Sequence, residues 1–529
     1  MVTWRERLYL MKRSFKANWS LYKKSKVGMF GLTVFIIFLV FSLLSPIIAP
    51  YDPLYERLLA EPYSAPEWVR MFDAKLVPSF TVTKNYHFTN DLSDWNVSYP
   101  RDLVEQGVLK VYHNPKLGNN LPVLPFYKRE ASGDGCFEIE FNDTSTTEAY
   151  HFYVEVNHTF YYDYYPPTSV VARYAYYYHA ENYENAYFTV KIKPEIVAPD
   201  GSVFPGRRYR IVGTNFLKGE VTLDFSPTAD PSFRESVINN MDAWLKAHYD
   251  AISSWQIQEF FNMSGSGYYT FRIRIEINSK VPEDTVYFKI CLDDVLFKVL
   301  GQVFGILGTD HLGRDVFSQL IWGSRISLIV GILASLLTTF TGTVIGMVSG
   351  YFRGAVDEVI MRIVDVLMVI PGLPLMLILA AILGKSIWNI VLVIALLGWT
   401  GTARVIRSQA LSLREHAFVE AAKAAGAGDA YILFRHLFPN LLPLSFAYLA
   451  LGVGGAIIAE ASLSFLGFGD PMHISWGMMF YYAEQFGALL AGAWWIIVPA
   501  GLCIAILSLA FIFIGHAFDE ILNPRLRER

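Results

Sequence analysis

Charged residues are scarce in this chain: 17% of its 529 residues, against 53% hydrophobic, with a mean hydropathy of +0.31. That balance excludes a soluble protein of this length, and long uncharged runs point to the membrane instead. No Gly-x-x-x-x-Gly-Lys-Ser/Thr string occurs, so the chain cannot cradle ATP phosphates itself. Nothing resembles a nucleophile elbow or a Ser/His/Asp constellation, which argues against a membrane enzyme and leaves no catalytic residue to name. Cysteine is nearly missing, with Cys136, Cys291 and Cys503 alone. The net charge of -4 averages over a strong asymmetry along the chain and says little about partners.

What is present is a series of apolar runs. Residues 27–48 are long enough to cross a bilayer, which needs roughly 20 apolar residues. Arg5, Arg7, Lys12, Arg13, Lys16, Lys23, Lys24 and Lys26 precede them, with Glu6 the one acid. The apolar core is too long for a signal peptide and no small-x-small cleavage site follows, so this is read as a retained first helix. Further spans are expected at about 326–350, 359–383, 387–406, 441–465 and 494–518. Basic residues flank alternate ends: the N-terminal run, Arg353 and Arg362, Arg404, Arg407 and Arg414, then Arg525, Arg527 and Arg529. The positive-inside rule then gives six helices with both termini cytoplasmic.

The segment 412–440 reads SLREHAFVEAAKAAGAGDAYILFRHLFPN. Ser412 and Glu415 have the spacing of a capping box at a helix start. Phe418, Ala421, Ala422 and Ala425 recur at helical spacing, and Gly426 stands where a left-handed C-terminal cap costs least. Asp429 can start a second helix, which Pro439 would end or kink. So small a knob, with alanines on its buried side, suits docking into another protein's groove, although an ordinary loop helix explains these features too. Glu420-Ala421-Ala422, with Gly426 and Pro439 following, resembles the EAA loop of ABC-importer permeases. The fuller string Phe434-Arg435-His436 with Pro439-Asn440 is similar to the dipeptide/oligopeptide/nickel permease branch, although His436 and Phe438 depart from the general pattern.

That resemblance implies a type I ABC importer fold: an all-α polytopic domain of six transmembrane helices. The loop would be the coupling helix that seats in an ATP-binding subunit, carried by Glu420, Ala421, Ala422, Gly426, Arg435 and Pro439. It implies a second homologous permease subunit, two ATP-binding subunits holding ATP and Mg, and an extracellular substrate-binding protein, with lipid around the chain and no nucleic acid. This chain would bind no cofactor. The expected organisation is a cytoplasmic N-terminus (1–26), helix 1 (27–49), an extracellular insert (50–305), a permease core (306–519) and a cytoplasmic tail (520–529).

The insert lies outside the resemblance. Alternating strand patterns, Phe271 to Ile277 and Phe188 to Ile192, are separated by turns at Pro199-Asp200-Gly201 and Ser264-Gly265-Ser266-Gly267. A mostly antiparallel β-sandwich is expected, with a helical stretch over 231–261. Cys136 and Cys291 fall in this outer segment, where a disulfide and two free thiols are equally compatible with the spacing. Asn96, Asn142, Asn157 and Asn262 head glycosylation sequons, which suit an archaeal cell surface if they are used. Tyrosines alternating over 174–178 are read as core, and the run 161–165 stays open between core and ligand stacking.

Five further features carry expectations. Asp310, Arg314 and Asp315, in a string similar to the signature before the second helix of the family, are expected to brace an outer boundary. Asp310 with His311 lacks further ligands at metal spacing, so no metal is expected there. Glu460, within a span, marks a candidate pathway or gate, because desolvating a carboxylate is costly; a satisfied packing role fits equally. Ser475-Trp476-Gly477 fits a segment closing the outer pore, with Trp476 a second gate candidate. Gly342, Gly346 and Gly350 permit close helix packing, within one subunit or between two. Pro371 and Pro374 should kink the third span, where Arg362 and Asp365 can pair. The reading is a peptide permease; the alternatives are the same architecture carrying oligosaccharides, or a membrane-anchored receptor with a ligand-binding ectodomain.

Overall fold

The computed structural model describes residues 19–56, 59–83, 88, 92, 94–115, 135–143, 149–167, 169–181, 188–204, 221–222, 234–239, 254–279 and 286–522. These form two compact units, Met1–Leu54 with Asp315–Arg529, and Tyr55–Arg314.

The first unit is helical. Its principal helices are α1 (Lys26–Leu43), α2 (Val316–Phe352), α3 (Gly354–Val369), α4 (Gly372–Leu383), α5 (Ile387–Arg414), α6 (Ala417–Ala424), α7 (Asp429–Ile432), α8 (Phe438–Leu463), α9 (Trp476–Gln485) and α10 (Trp494–Leu522). Five stretches are long and apolar enough to cross a membrane, or six if the bent pair α3–α4 counts as one. That pair breaks at Ile370, held extended by Pro371, and bends by 94°. The kink expected from the prolines is therefore a sharp break. Arg362 does not pair with Asp365: it reaches Glu358 at 3.8 Å, and Asp365 takes Arg404 from α5.

The glycine stripe settles one open alternative. A Cβ on Gly342 would stand 2.7 Å from the Trp399 carbonyl oxygen, one on Gly346 2.4 Å from that of Ala403, and one on Gly350 2.7 Å from that of Arg407. All three face α5, so the stripe joins two helices of the same chain, as small residues do where backbones must approach in lipid.

The second unit is a pair of antiparallel sheets. The strands are β1 (Phe80–Thr81), β2 (Asn96–Ser98), β3 (Leu109–Asn114), β4 (Cys136–Asp143), β5 (His151–Tyr162), β6 (Ser169–Glu181), β7 (Phe188–Val197), β8 (Val203–Phe204), β9 (Val221–Thr222), β10 (Arg234–Asn239), β11 (Gly267–Ser279) and β12 (Val286–Leu300). One sheet runs β10-β6-β12-β4-β3 with β1 on β12, the other β2-β5-β11-β7-β8 with β9 on β7. Alternation sends Phe271, Ile273, Ile275 and Ile277 inward from β11, against Phe137, Ile139, Tyr174, Tyr176 and Tyr178 of the facing sheet. The alternating tyrosines are core, as expected. Tyr162 is buried too, while Tyr161, Tyr164 and Tyr165 are exposed. Of the helical expectation for 231–261, the described part holds in the helix Ser254–Ser264, while 231–233 and 240–253 lie outside the described residues. Arg234–Asn239 is a strand, because pairing with β6 overrides local propensity.

Candidate functional site

The segment 412–440 folds as two short helices on the end of α2. The capping-box expectation fails: Ser412 lies in the last turn of α5, and Glu415 is that helix's C-terminal cap. The apolar run of α5 continues through the serine, and the Glu415 carboxylate pairs with Arg353 instead. α6 starts after His416, without a side-chain cap. Its end matches the expectation from Gly426, whose φ is +79°. The amide of Gly426 donates to Lys423 O (2.9 Å) and that of Ala427 to Ala422 O (3.0 Å), the paired bonds of a Schellman cap.

One face of this hairpin is anchored and the other is open. Val419 is fully buried among Met347, Tyr351, Ile406, Ile432 and Leu437, with Ala422 packed beside them. Phe418, Glu420, Ala421, Ala425, Tyr431, Phe434 and Arg435 are exposed. Of the three alanines read as the buried side, Ala422 alone packs inward, and Ala421 and Ala425 lie outward. The departure at His436 has a local meaning: its ring stands 6.0 Å from that of Phe418 and 5.6 Å from that of Tyr431, completing an aromatic rim. Pro439 neither ends nor breaks the helix. It occupies the first turn of α8, directly after the π turn Leu433–Leu437, where a missing amide does least harm.

Tyr351, at the C-terminal end of α2, collects the loop around it. Its hydroxyl donates to Asp429 Oδ1 (2.6 Å), and Lys423 Nζ lies 5.1 Å from its ring centroid. The Arg414 guanidinium stacks near the same ring and donates to the Tyr351 carbonyl oxygen (2.5 Å). Asp357 of α3 holds Arg407 of α5 through two bonds of 2.5 Å. Sequence reasoning missed Tyr351. Its one signal was a lone phenol at the end of an apolar helix, just before Arg353.

The first half of α2 meets a packed corner with α8 and α9. Glu460 is 1% exposed, and its carboxylate accepts from Ser475 Oγ (2.6 Å), Ser464 Oγ (2.7 Å) and Ser327 Oγ (3.4 Å). Trp476 is fully buried, donates from Nε1 to Leu320 O (3.0 Å), and fills the space over Gly323. Of the two readings open for Glu460, this geometry favours satisfied packing. Glu460 thus bonds α8 to α2 and to the start of α9, and Trp476 bonds α9 to α2.

In the β-rich unit, Asp310 is buried and accepts from the amides of Leu312 (2.8 Å) and Arg314 (3.0 Å) and from Arg314 Nε (2.7 Å). Burial pushes its carboxyl up, but the Arg314 guanidinium outweighs this and holds it below the usual aspartate range. Asp315 caps α2 through Ser318 N (2.7 Å). The three residues brace turns and helix starts, with no arrangement for catalysis. Asn96, Asn142 and Asn262 are exposed, and Asn157 is half-buried opposite Asn96 in the pairing of β2 with β5. Cys136 and Cys291 are buried free thiols, not a disulfide. Cys291 stands opposite Glu138 and so lies diagonal to Cys136.

A helical unit with five or six helices of this length and apolarity fits a multi-pass membrane protein. Comparison with known proteins agrees. Residues 342–528 match the binding-protein-dependent transport system inner membrane component, and residues 15–66 match the N-terminal transmembrane domain of oligopeptide transport permease C. A Brucella suis protein named as a peptide permease is 41% identical over 219 residues, covering 41% of this chain and 72% of that protein. The dipeptide transport system permease protein of Bacillus subtilis is 36% identical over 221 residues, covering 42% of this chain and 68% of that protein. The chain belongs to this family of binding-protein-dependent transport permeases. An inward-facing structure of the methionine ABC transporter MetNI overlaps over 39% of this chain and 94% of that chain, at a TM-score of 0.32 and 17% identity, too slight a likeness to build on. Residues 67–341 are matched by neither family model.

Proposed function

We propose that this chain is one of two transmembrane subunits of an ATP-driven peptide importer. It forms half of the translocation pathway, receives cargo from an extracellular substrate-binding protein, and is powered by two ATP-binding subunits that carry the ATP and Mg. Both termini are cytoplasmic and the β-rich insert lies outside, in keeping with the distribution of arginines and lysines. The peptide class is supported by the names of the relatives in Brucella and Bacillus.

The observation that carries this reading is the two-faced hairpin. Val419 and Ile432 fix it to α2 and α5, while Phe418, Ala421, Ala425 and Tyr431 offer a small apolar face that the described residues leave open. An ATPase cleft closing on that face would push α6 as a rigid body. The push would pass through Tyr351 into α2, and along α2 to the corner braced by Glu460 and Trp476, turning the helices between inward- and outward-facing states.

The test is uptake by the assembled transporter in proteoliposomes. Gly426→Pro removes the positive φ that the Schellman cap requires, and Glu420→Arg reverses a charge on the open face. Each should leave ATP hydrolysis running while uptake falls at least about tenfold, on the order of 1.4 kcal/mol of lost coupling. Wild-type uptake in both variants would overturn the coupling assignment. Competition by dipeptides, longer peptides and oligosaccharides in the same assay separates the cargo classes, and inhibition by oligosaccharides alone would overturn the peptide reading.

A further inference from the structure

We propose that Cys136, Glu138 and Cys291 form a zinc site in the β-rich unit. The register brings them together. Cys136 and Glu138 are two residues apart on β4, so both side chains leave the same face of the sheet, and β12 sets Cys291 directly opposite Glu138. Their neighbours on β4, Phe137 and Ile139, point into the aromatic core, so the three donors lie on the face away from it. All three are fully buried.

Their spacing fits a tetrahedral ion. The two sulfurs and a carboxylate oxygen all lie within 4.8 Å of one another, with Cys291 Sγ 3.6 Å from Glu138 Oε2. Zinc bonds of about 2.3 Å to sulfur and about 2.0 Å to oxygen give a tetrahedral edge of roughly 3.5 Å. The donors therefore stand near coordination distance of a common centre.

The surroundings are those of a ligating carboxylate. Glu138 Oε1 accepts from Tyr112 OH (2.6 Å) and pairs with Lys289, while Asn114 Nδ2 donates to Oε2 (2.6 Å). Such outer partners fix a ligand's orientation. Charge also closes: two thiolates and one carboxylate are offset by a divalent ion and the Lys289 ammonium. A neutral water would supply the fourth ligand and keep that balance. Paired thiolates select zinc over magnesium or calcium. The ion would fasten β4 to β12 in the middle of the sheet.

The experiment uses the full chain purified in detergent with reductant and incubated with zinc sulfate. After desalting, elemental mass spectrometry should find about one zinc per chain, falling at least about tenfold in Glu138→Gln and in the double variant C136S/C291S. Cobalt(II) added to the zinc-free wild type should give thiolate-to-cobalt absorption, a readout that needs no variant to fold. Absence of that band, or zinc retained by the double variant, overturns the proposal. So does an intact mass two hydrogens short in protein purified without reductant, which would mean a disulfide instead.

Discussion

The two units of this chain differ in what they leave exposed and in what joins their elements. In the helical unit Leu490, Val369, Ile47 and Ile382 are between 75% and 96% exposed, while Ser324, Ser327, Ser335, Thr339 and Thr343 are hidden. In the β-rich unit Phe137, Phe271, Phe288, Tyr174 and Tyr269 are hidden, and the outer face of β11 carries Arg272 and Arg274 paired with Glu195 and Glu155. One sequence is folded against two solvents. In lipid, apolar surface gains little by burial, so helices join through small residues and hydroxyls. In water the same chain joins its sheets through aromatic area.

The largest effect that would sharpen this contrast is Phe271→Ala. Its ring stacks on Phe297 with centroids 4.5 Å apart, in the middle of the sandwich. Removal should cost about 3–5 kcal/mol. Limited proteolysis should show the β-rich unit becoming sensitive while the helical unit stays resistant. Equal sensitivity in both units would mean that they do not fold as separately as their cores suggest.

Next comes Gly346→Leu, which adds bulk where the helical unit has none to spare. The nearest atom to the new Cβ is the Ala403 carbonyl oxygen, part of the α5 backbone, which cannot swing aside as a side chain would. Overpacking of this kind costs about 1–3 kcal/mol. The midpoint of thermal unfolding in detergent should drop for the helical unit only. If Gly346→Leu is tolerated, the α2–α5 contact is looser than drawn here.

A smaller effect separates the units by acid. In the β-rich unit, Asp310 sits below its ordinary 3.8 because Arg314 and His311 together overcome its burial, and Glu276 below its ordinary 4.5 because of its bonds from Lys193 and Asn278. A depressed carboxyl stabilises the fold above the ordinary value, and that contribution is lost as pH falls through the folded value. Thermal midpoints of the β-rich unit should hold steady down to about pH 4.5 and fall steeply below. Asp310→Asn should flatten part of that slope, and an unchanged slope would remove Asp310 from the account.

Much of this was legible in the sequence, for reasons that can be traced to particular residues. Apolar run length pointed to the long helices but not to the 94° break within 359–383, and period-two alternation pointed to β11 and the core tyrosines, because both patterns are local. Gly426 was legible because only a positive φ makes a glycine worth placing there. Ser412 and Glu415 misled, since a capping-box spacing also arises by chance inside a helix that simply continues. Glu460 could not be read alone: its partners Ser327, Ser464 and Ser475 come from separate helices. The same holds for Cys136, Glu138 and Cys291, which meet only through strand register, whereas the sequence alone put only Asp310 and His311 forward for a metal. The side of the sheet that a cysteine faces is not written in its spacing.

The smallest stability effect carries the sharpest functional test. Tyr351→Phe keeps the ring on which Lys423 and Arg414 rest and removes only the hydroxyl that donates to Asp429. The loss to stability should be about 1 kcal/mol, too little to unfold the helical unit. If α2 takes its push from the hairpin through this residue, however, slack at the joint should waste strokes. ATP hydrolysis by the assembled transporter would continue while peptide taken up per ATP falls several-fold, and Asp429→Asn would reproduce the ratio. A merely structural phenol would lower uptake and hydrolysis together, in step with the amount of folded complex. A wild-type ratio in both variants would show that α2 is moved by the buried apolar contacts of Val419 and Ile432 alone, and that Tyr351 only tidies the end of the helix.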